Sequence, residues 1–316
     1  MTEFIIMLRN VFLFVALAIP GYILVKTKIM GEKASGVLSK LLTYLGMPFL
    51  ILSSTLNISF TGDFALRIIL VGIFGVVFTI AIFCLSVLLV GKKVTGKRKG
   101  MARFCMVFSN NGFLGIPLAK AVFGDSPVVT YLIILNIVTN ILMFTLGVYL
   151  ISGDKNMISI KKAVLNPVLI AFIIGILFNI LNIKASVPEV ATFAGHFSNI
   201  VTPISMTILG MKMAETHLLS LFAKRGMYYV SIVKLVLVPV LAVGIAHLLR
   251  LFITVDSNII LGCFIALAMP TAGLASAFSD SYAGDTENAV ANTLGTTILS
   301  IVTIPVLYWI LCAILF

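Results

Sequence analysis

The sequence predicts an all-α integral membrane fold of ten transmembrane helices, arranged as two inverted five-helix repeats in which helices 4 and 9 are broken and cross. Three observations carry that expectation. Of 316 residues, 60% are apolar and only 10% charged, with a mean hydropathy of +1.18, whereas a soluble domain carries about 25% charged residues. Ten apolar stretches approach or exceed the roughly 20 residues needed to cross a hydrocarbon core. Two of them are interrupted by proline and glycine at corresponding places in the two halves. A transmembrane barrel is excluded, because its strands would alternate polar with apolar side chains and these runs do not.

In chain order the spans are 4–26, 35–56, 64–91, 101–123, 128–151, 163–182, 190–212, 225–250, 257–279 and 286–315. The net charge of +11 does not indicate nucleic acid, because most of the basic residues fall in short loops between spans. Lys26, Lys28, Lys33 and Lys40 form one cluster, and Lys92, Lys93, Lys97, Arg98, Lys99 and Arg103 a second. Lys155, Lys161 and Lys162 form a third, and Lys212, Lys224 and Arg225 a fourth. All four lie on one side of the membrane, so the positive-inside rule puts both termini outside a plasma membrane. Asp285 with Asn288 reads as the N-cap region of the last helix. The four cysteines lie in or beside apolar runs with no metal spacing and read as small hydrophobes.

The basic segment 152–162 divides the chain into a first repeat, 1–151, and a second, 163–316. Five spans per repeat force opposite orientations, the arrangement many secondary transporters use around a central site. Lys33-Ala34-Ser35 recurs as Lys184-Ala185-Ser186, Pro48 has a counterpart in Pro203, and Pro117 has one in Pro270.

Span 4 carries Ser109-Asn110-Asn111-Gly112-Phe113-Leu114-Gly115-Ile116-Pro117, and span 9 carries Met269-Pro270-Thr271-Ala272-Gly273. Proline removes a backbone donor and clashes with the preceding turn, glycine weakens a helix, and the residue before proline avoids the helical region. Each proline is therefore expected to open a second half-helix. Broken backbone at membrane depth must be buried in protein or line a cavity. Two half-helix N-termini meeting there would offer free donors and positive dipole ends, which suits an anion.

The expected substrate-binding set is Asn110, Asn111, Gly112, Pro117, Pro270 and Thr271, with Asn136 and Asn140 on one face of span 5 and Ser53 near the end of span 2 beside Ser54 and Asn57. Packing, interhelical hydrogen bonding and satisfaction of freed carbonyls compete with binding at each. Lys234, about ten residues into span 8, is costly there unless paired or hydrated. It could balance an anion, stand where a coupling cation would bind, lock the crossover, or snorkel.

The segment Asn110-Asn111-Gly112-Phe113-Leu114-Gly115-Ile116-Pro117-Leu118, with Met269-Pro270-Thr271-Ala272 and Thr303-Ile304-Pro305, resembles the auxin efflux carrier family. That family includes bacterial malate and malonate permeases and plant PIN-type carriers. The resemblance spans essentially the whole chain and implies a fold like the bile-acid sodium symporters. It further implies a scaffold of spans 1, 2, 6 and 7, a transport domain of spans 3–5 and 8–10 working as an elevator, and a homodimer. Asn111 best matches the family's substrate-facing asparagine. The long central loop of some plant members is lacking, which points to a bacterial-type permease.

The expected function is a secondary transporter of small organic anions, such as malate, malonate or auxin-like acids, by export or facilitated uniport. A sodium- or proton-coupled carboxylate symporter is the alternative. No carboxylate falls firmly mid-span to serve a proton relay. Neither HExxH nor GxSxG occurs, so no enzyme and no resident metal or cofactor is expected. The expected partners are the organic anion and the lipid bilayer.

Overall fold

The computed structural model describes residues 2–31, 33–56, 62–91, 94–216, 221–250 and 256–315. Lys92, Lys93 and Asn57 lie outside these. The described chain is helical in order: α1 (Thr2–Lys26), α2 (Ala34–Leu56), α3 (Gly62–Leu89), α4 (Gly96–Val107), α5 (Asn111–Phe123) and α6 (Pro127–Ser152). There follow α7 (Pro167–Ile180), α8 (Pro188–Asn199), α9 (Val201–Glu215), α10 (Arg225–Leu248), α11 (Ser257–Ala268), α12 (Ala275–Ser281) and α13 (Thr286–Leu315). Short helical turns at Lys155–Met157, Ile160–Val164 and Ile183–Ser186 join some of them.

Among the described residues, six helices are individually long and apolar enough to cross a membrane: α1, α2, α3, α6, α10 and α13. The other four expected spans are short or interrupted. Span 4 is divided into α4 and α5, and span 9 into α11 and α12, while α7 has 14 residues. Span 7 is divided between α8 and α9 at Ile200. Pro203 explains that last interruption, since it has no N–H to donate to the Asn199 carbonyl and its ring crowds it.

Prolines also explain most of the local widening. Leu42–Gly46 in α2, Asn111–Gly115 in α5, Met143–Gly147 in α6 and Val233–Leu237 in α10 are π-helical turns. Three of these four end two residues before a proline, Pro48, Pro117 or Pro239. The carbonyl each ring would strike belongs to Tyr44, Phe113 or Leu235, inside the π turn, where the wider ladder relieves the collision. Pro117 accordingly sits within α5. The break lies before it, at Phe108–Asn110, so this proline does not open the half-helix as expected. Pro270 likewise lies in extended backbone ahead of α12, which starts at Ala275.

The helices pack preferentially within two groups. α1 lies along α9, while α2 packs on α7 and α8. Asn179 of α7 donates to the Thr55 and Leu56 carbonyls at 3.0 and 3.3 Å, capping the end of α2. In the second group α6 packs on α3 and α11, and α13 packs on α10, α12 and α4. Asp285 accepts from the Asn288 N–H at 3.1 Å and caps α13, as the sequence indicates.

The α1–α9 crossing depends on small residues. A Cβ added at Gly210 would fall 1.8 Å from the Ala18 carbonyl oxygen, and one at Gly21 would fall 1.9 Å from that of Thr207. Backbone cannot yield as a side chain does, so the helices would have to separate. Gly210→Ala is expected to cost about 1–3 kcal/mol by overpacking and to lower the unfolding temperature of the purified protein. Gly195→Ala, where nothing stands within 4 Å of the new methyl, is expected to leave it unchanged or raised.

Candidate functional site

The two breaks are joined by main chain. α4 ends at Val107 and α11 at Ala268, and the next residues, Phe108 and Met269, are extended. Met269 precedes Pro270, which disfavours helical backbone there. Ser109 and Thr271 then form an isolated antiparallel bridge. The Asn110 N–H donates to the Pro270 carbonyl at 2.8 Å, and the Ala272 N–H donates to the Phe108 carbonyl at 2.9 Å. Each break thus supplies the partners that the other loses by leaving the helix.

Thr271 is fully buried and completes the joint. Its hydroxyl donates to the Cys105 carbonyl at 2.9 Å, and its N–H donates to Thr296 Oγ1 of α13 at 3.1 Å. Lys212 of α9 reaches the second break, donating to the Gly273 carbonyl at 3.3 Å and to Ser276 Oγ at 3.5 Å. Lys234 is fully buried and donates to Ser109 Oγ at 2.5 Å.

A cavity of about 530 Å³ opens beside the joint, within the range of roughly 300–1,000 Å³ usual for small-molecule sites. Ser109, Asn110, Gly112 and Phe113 line it from the first break, Ala272, Gly273 and Leu274 from the second, and Asn136 and Asn140 from α6. Lys161 and Lys162, both exposed, stand at its rim. Among the described residues that line it, none is acidic. Tyr44, Met47, Met143, Phe144, Leu165 and Val168 supply apolar wall.

Asn136 is the most informative lining residue. Its side chain is 4% exposed, and Nδ2 has no hydrogen-bond partner in the protein. Its Oδ1 is already used, accepting from Asn140 Nδ2 at 3.2 Å, and Asn140 Nδ2 also donates to the Asn136 carbonyl at 2.9 Å. The neighbouring amide therefore orients Asn136 with a donor left over. A Cβ at Gly112 would lie 3.5 Å from Asn136 Oδ1, and one at Gly273 would lie 3.3 Å from Asn110 Nδ2. Both glycines bring backbone close to a polar side chain. At the head of α5 the first N–H groups to find an intrahelical acceptor are those of Leu114 and Gly115, on the Asn110 carbonyl at 3.3 and 3.1 Å. The donors of residues 111–113 head the helix, as at any N-terminus.

The expected residues thus divide. Asn110, Gly112, Asn136 and Asn140 share the cavity. Asn111, 2% exposed, turns to a separate pocket of about 20 Å³ with Thr79, Thr139 and Cys263, and its Oδ1 has no partner in the protein. Pro270 and Thr271 are buried in the joint, Pro117 is buried within α5, and Ser53, partly buried in α2, does not line the cavity. Sequence reasoning missed Thr296, Lys212 and the two rim lysines as parts of the site. Asn292, Thr296 and Ser300 recur every four residues along α13, a polar stripe on a membrane helix that could have pointed to Thr296.

The chain matches the family described as membrane transport protein over residues 5–160 and 155–308. It is also 26% identical, over 293 residues, to an uncharacterized transporter of Methanothermobacter thermautotrophicus (strain Delta H), covering 92% of this chain and 93% of that protein.

Replacing Thr296 with Val would leave the buried Thr271 N–H without its acceptor, at a cost of about 1–3 kcal/mol. Thr296→Val is expected to lower the unfolding temperature, and Thr296→Ser, which keeps the hydroxyl, is expected to retain most of the wild-type value.

Proposed function

Because the chain belongs to the auxin efflux carrier-like membrane transport proteins, a family of transporters and not of enzymes, we propose that it carries small organic carboxylates across the membrane by alternating access. The observation that carries this reading is a cavity walled by both helix breaks, lined by the amide residues Asn110, Asn136 and Asn140 and rimmed by Lys161 and Lys162, with the Asn136 Nδ2 buried and unpartnered in its wall. An amide donor, helix-end N–H groups and nearby ammonium groups are complementary to a carboxylate, and the apolar wall suits its carbon body.

The substrate is held at Asn136, with Asn140 orienting that amide and Asn110 and the first turn of α5 completing the donor set. Asn111 belongs to the support of the crossover and acts through it. Ten spans in two inverted repeats, with both termini outside the plasma membrane, put Lys161 and Lys162 on the cytoplasmic side, so the cavity is the inward-open form. The α1, α2, α7, α8 and α9 group serves as scaffold and dimer surface, and the remaining helices move the crossover as an elevator. Preferential packing within each group supports that division. A cell interior negative by 100 mV drives a monovalent anion outward by about 2.3 kcal/mol, which favours export.

In proteoliposomes loaded with radiolabelled carboxylates, Asn136→Leu is expected to abolish flux while the protein stays folded. Uptake of the corresponding methyl ester, corrected for leak, is expected to be absent in wild type. Flux through Asn136→Leu equal to wild type for every transported acid would remove Asn136 from the site. Charge removal at Lys161 and Lys162 together is expected to raise the apparent KM and leave the maximal rate unchanged, with a smaller effect at high salt.

A further inference from the structure

The cavity uses the donor ends of the broken helices, but their acceptor ends also meet. α4 and α11 both run into the joint and stop there. Two helix C-termini, each equivalent to roughly half a negative charge, are thereby brought together away from water. Such a place calls for a cation.

Lys234 supplies one. The π turn Val233–Leu237 that carries it packs against α4, α11 and α13, the first two being the helices that terminate at the joint. Its ammonium is fully buried and donates to Ser109 Oγ at 2.5 Å, on the residue that pairs with Thr271 across the joint. Snorkelling is ruled out by that placement, because the nitrogen turns inward. Ion pairing does not account for it either. The ion pairs among the described residues are Arg67–Asp256 and Lys224–Glu287. A buried lysine with no carboxylate must either give up its proton or find dipoles in place of a counter-ion.

We propose that Lys234 is the built-in counter-cation of the crossover: its ammonium holds the acceptor ends of the two broken helices together, so no exchangeable metal cation is needed there. The inference concerns the crossover and goes beyond the carboxylate reading, so its test uses no transport substrate. Purified Lys234→Ala is expected to unfold at a lower temperature than wild type. Methylammonium chloride, small enough to enter the vacated space, is expected to restore part of that loss saturably, and choline chloride at equal ionic strength is not.

Wild type is expected to respond to neither, and to unfold at the same temperature in sodium as in choline. A Lys234→Met variant as stable as wild type would overturn the proposal, because it keeps the stem's bulk without the charge. Equal stabilisation of wild type and Lys234→Ala by methylammonium would overturn it too. If Lys234→Ala does not accumulate, the wild-type comparison decides: saturable stabilisation by sodium over choline would reveal an exchangeable cation site and refute the claim.

Discussion

Two main-chain hydrogen bonds, from Asn110 to the Pro270 carbonyl and from Ala272 to the Phe108 carbonyl, hold the centre of this protein together. A helix that breaks in a membrane frees donors and acceptors that water cannot satisfy. Here each broken segment satisfies part of the other, and the side chains of Thr271, Thr296 and Lys212 take up more of what remains. Neither break would be tolerable without its counterpart. The joint forms one side of the cavity, and α2, α6 and residues 159–168 form the rest.

The joint has polarity. Donor ends lie towards Asn110 and Gly112, and acceptor ends lie where α4 and α11 stop. An anion suits the first side and a cation the second. Ser109 links them, lining the cavity while accepting from Lys234.

Much of this was legible in the sequence because it rests on chemistry that composition reveals. Long apolar runs locate the helices, Pro270 and the Asn-Gly-Pro segment locate the breaks, and Lys234 stands out by its cost in lipid. What was not legible depends on rotation and register. Nothing in the order Asn110-Asn111 says which amide faces the cavity, because neighbouring helix residues point about 100° apart and a π turn shifts that further. The break was displaced from Pro117 for the same reason: a π turn can absorb a proline that would otherwise end a helix. Partners far apart in sequence, such as Thr296 for Thr271, emerge only when α13 is packed beside the joint.

The central claim is that a carboxylate binds in the cavity beside the joint, reached from the side of Lys161 and Lys162. The most direct measurement is labelling of Thr43→Cys, which lines the cavity outside the donor set, by a membrane-impermeant maleimide in sealed vesicles of each orientation, with exposed Cys84 and part-exposed Cys312 replaced by Ser. The account predicts labelling from the face that carries Lys161 and Lys162, slowed by a transported carboxylate and not by its methyl ester. Labelling that no carboxylate slows, or that occurs only from the opposite face, would contradict it.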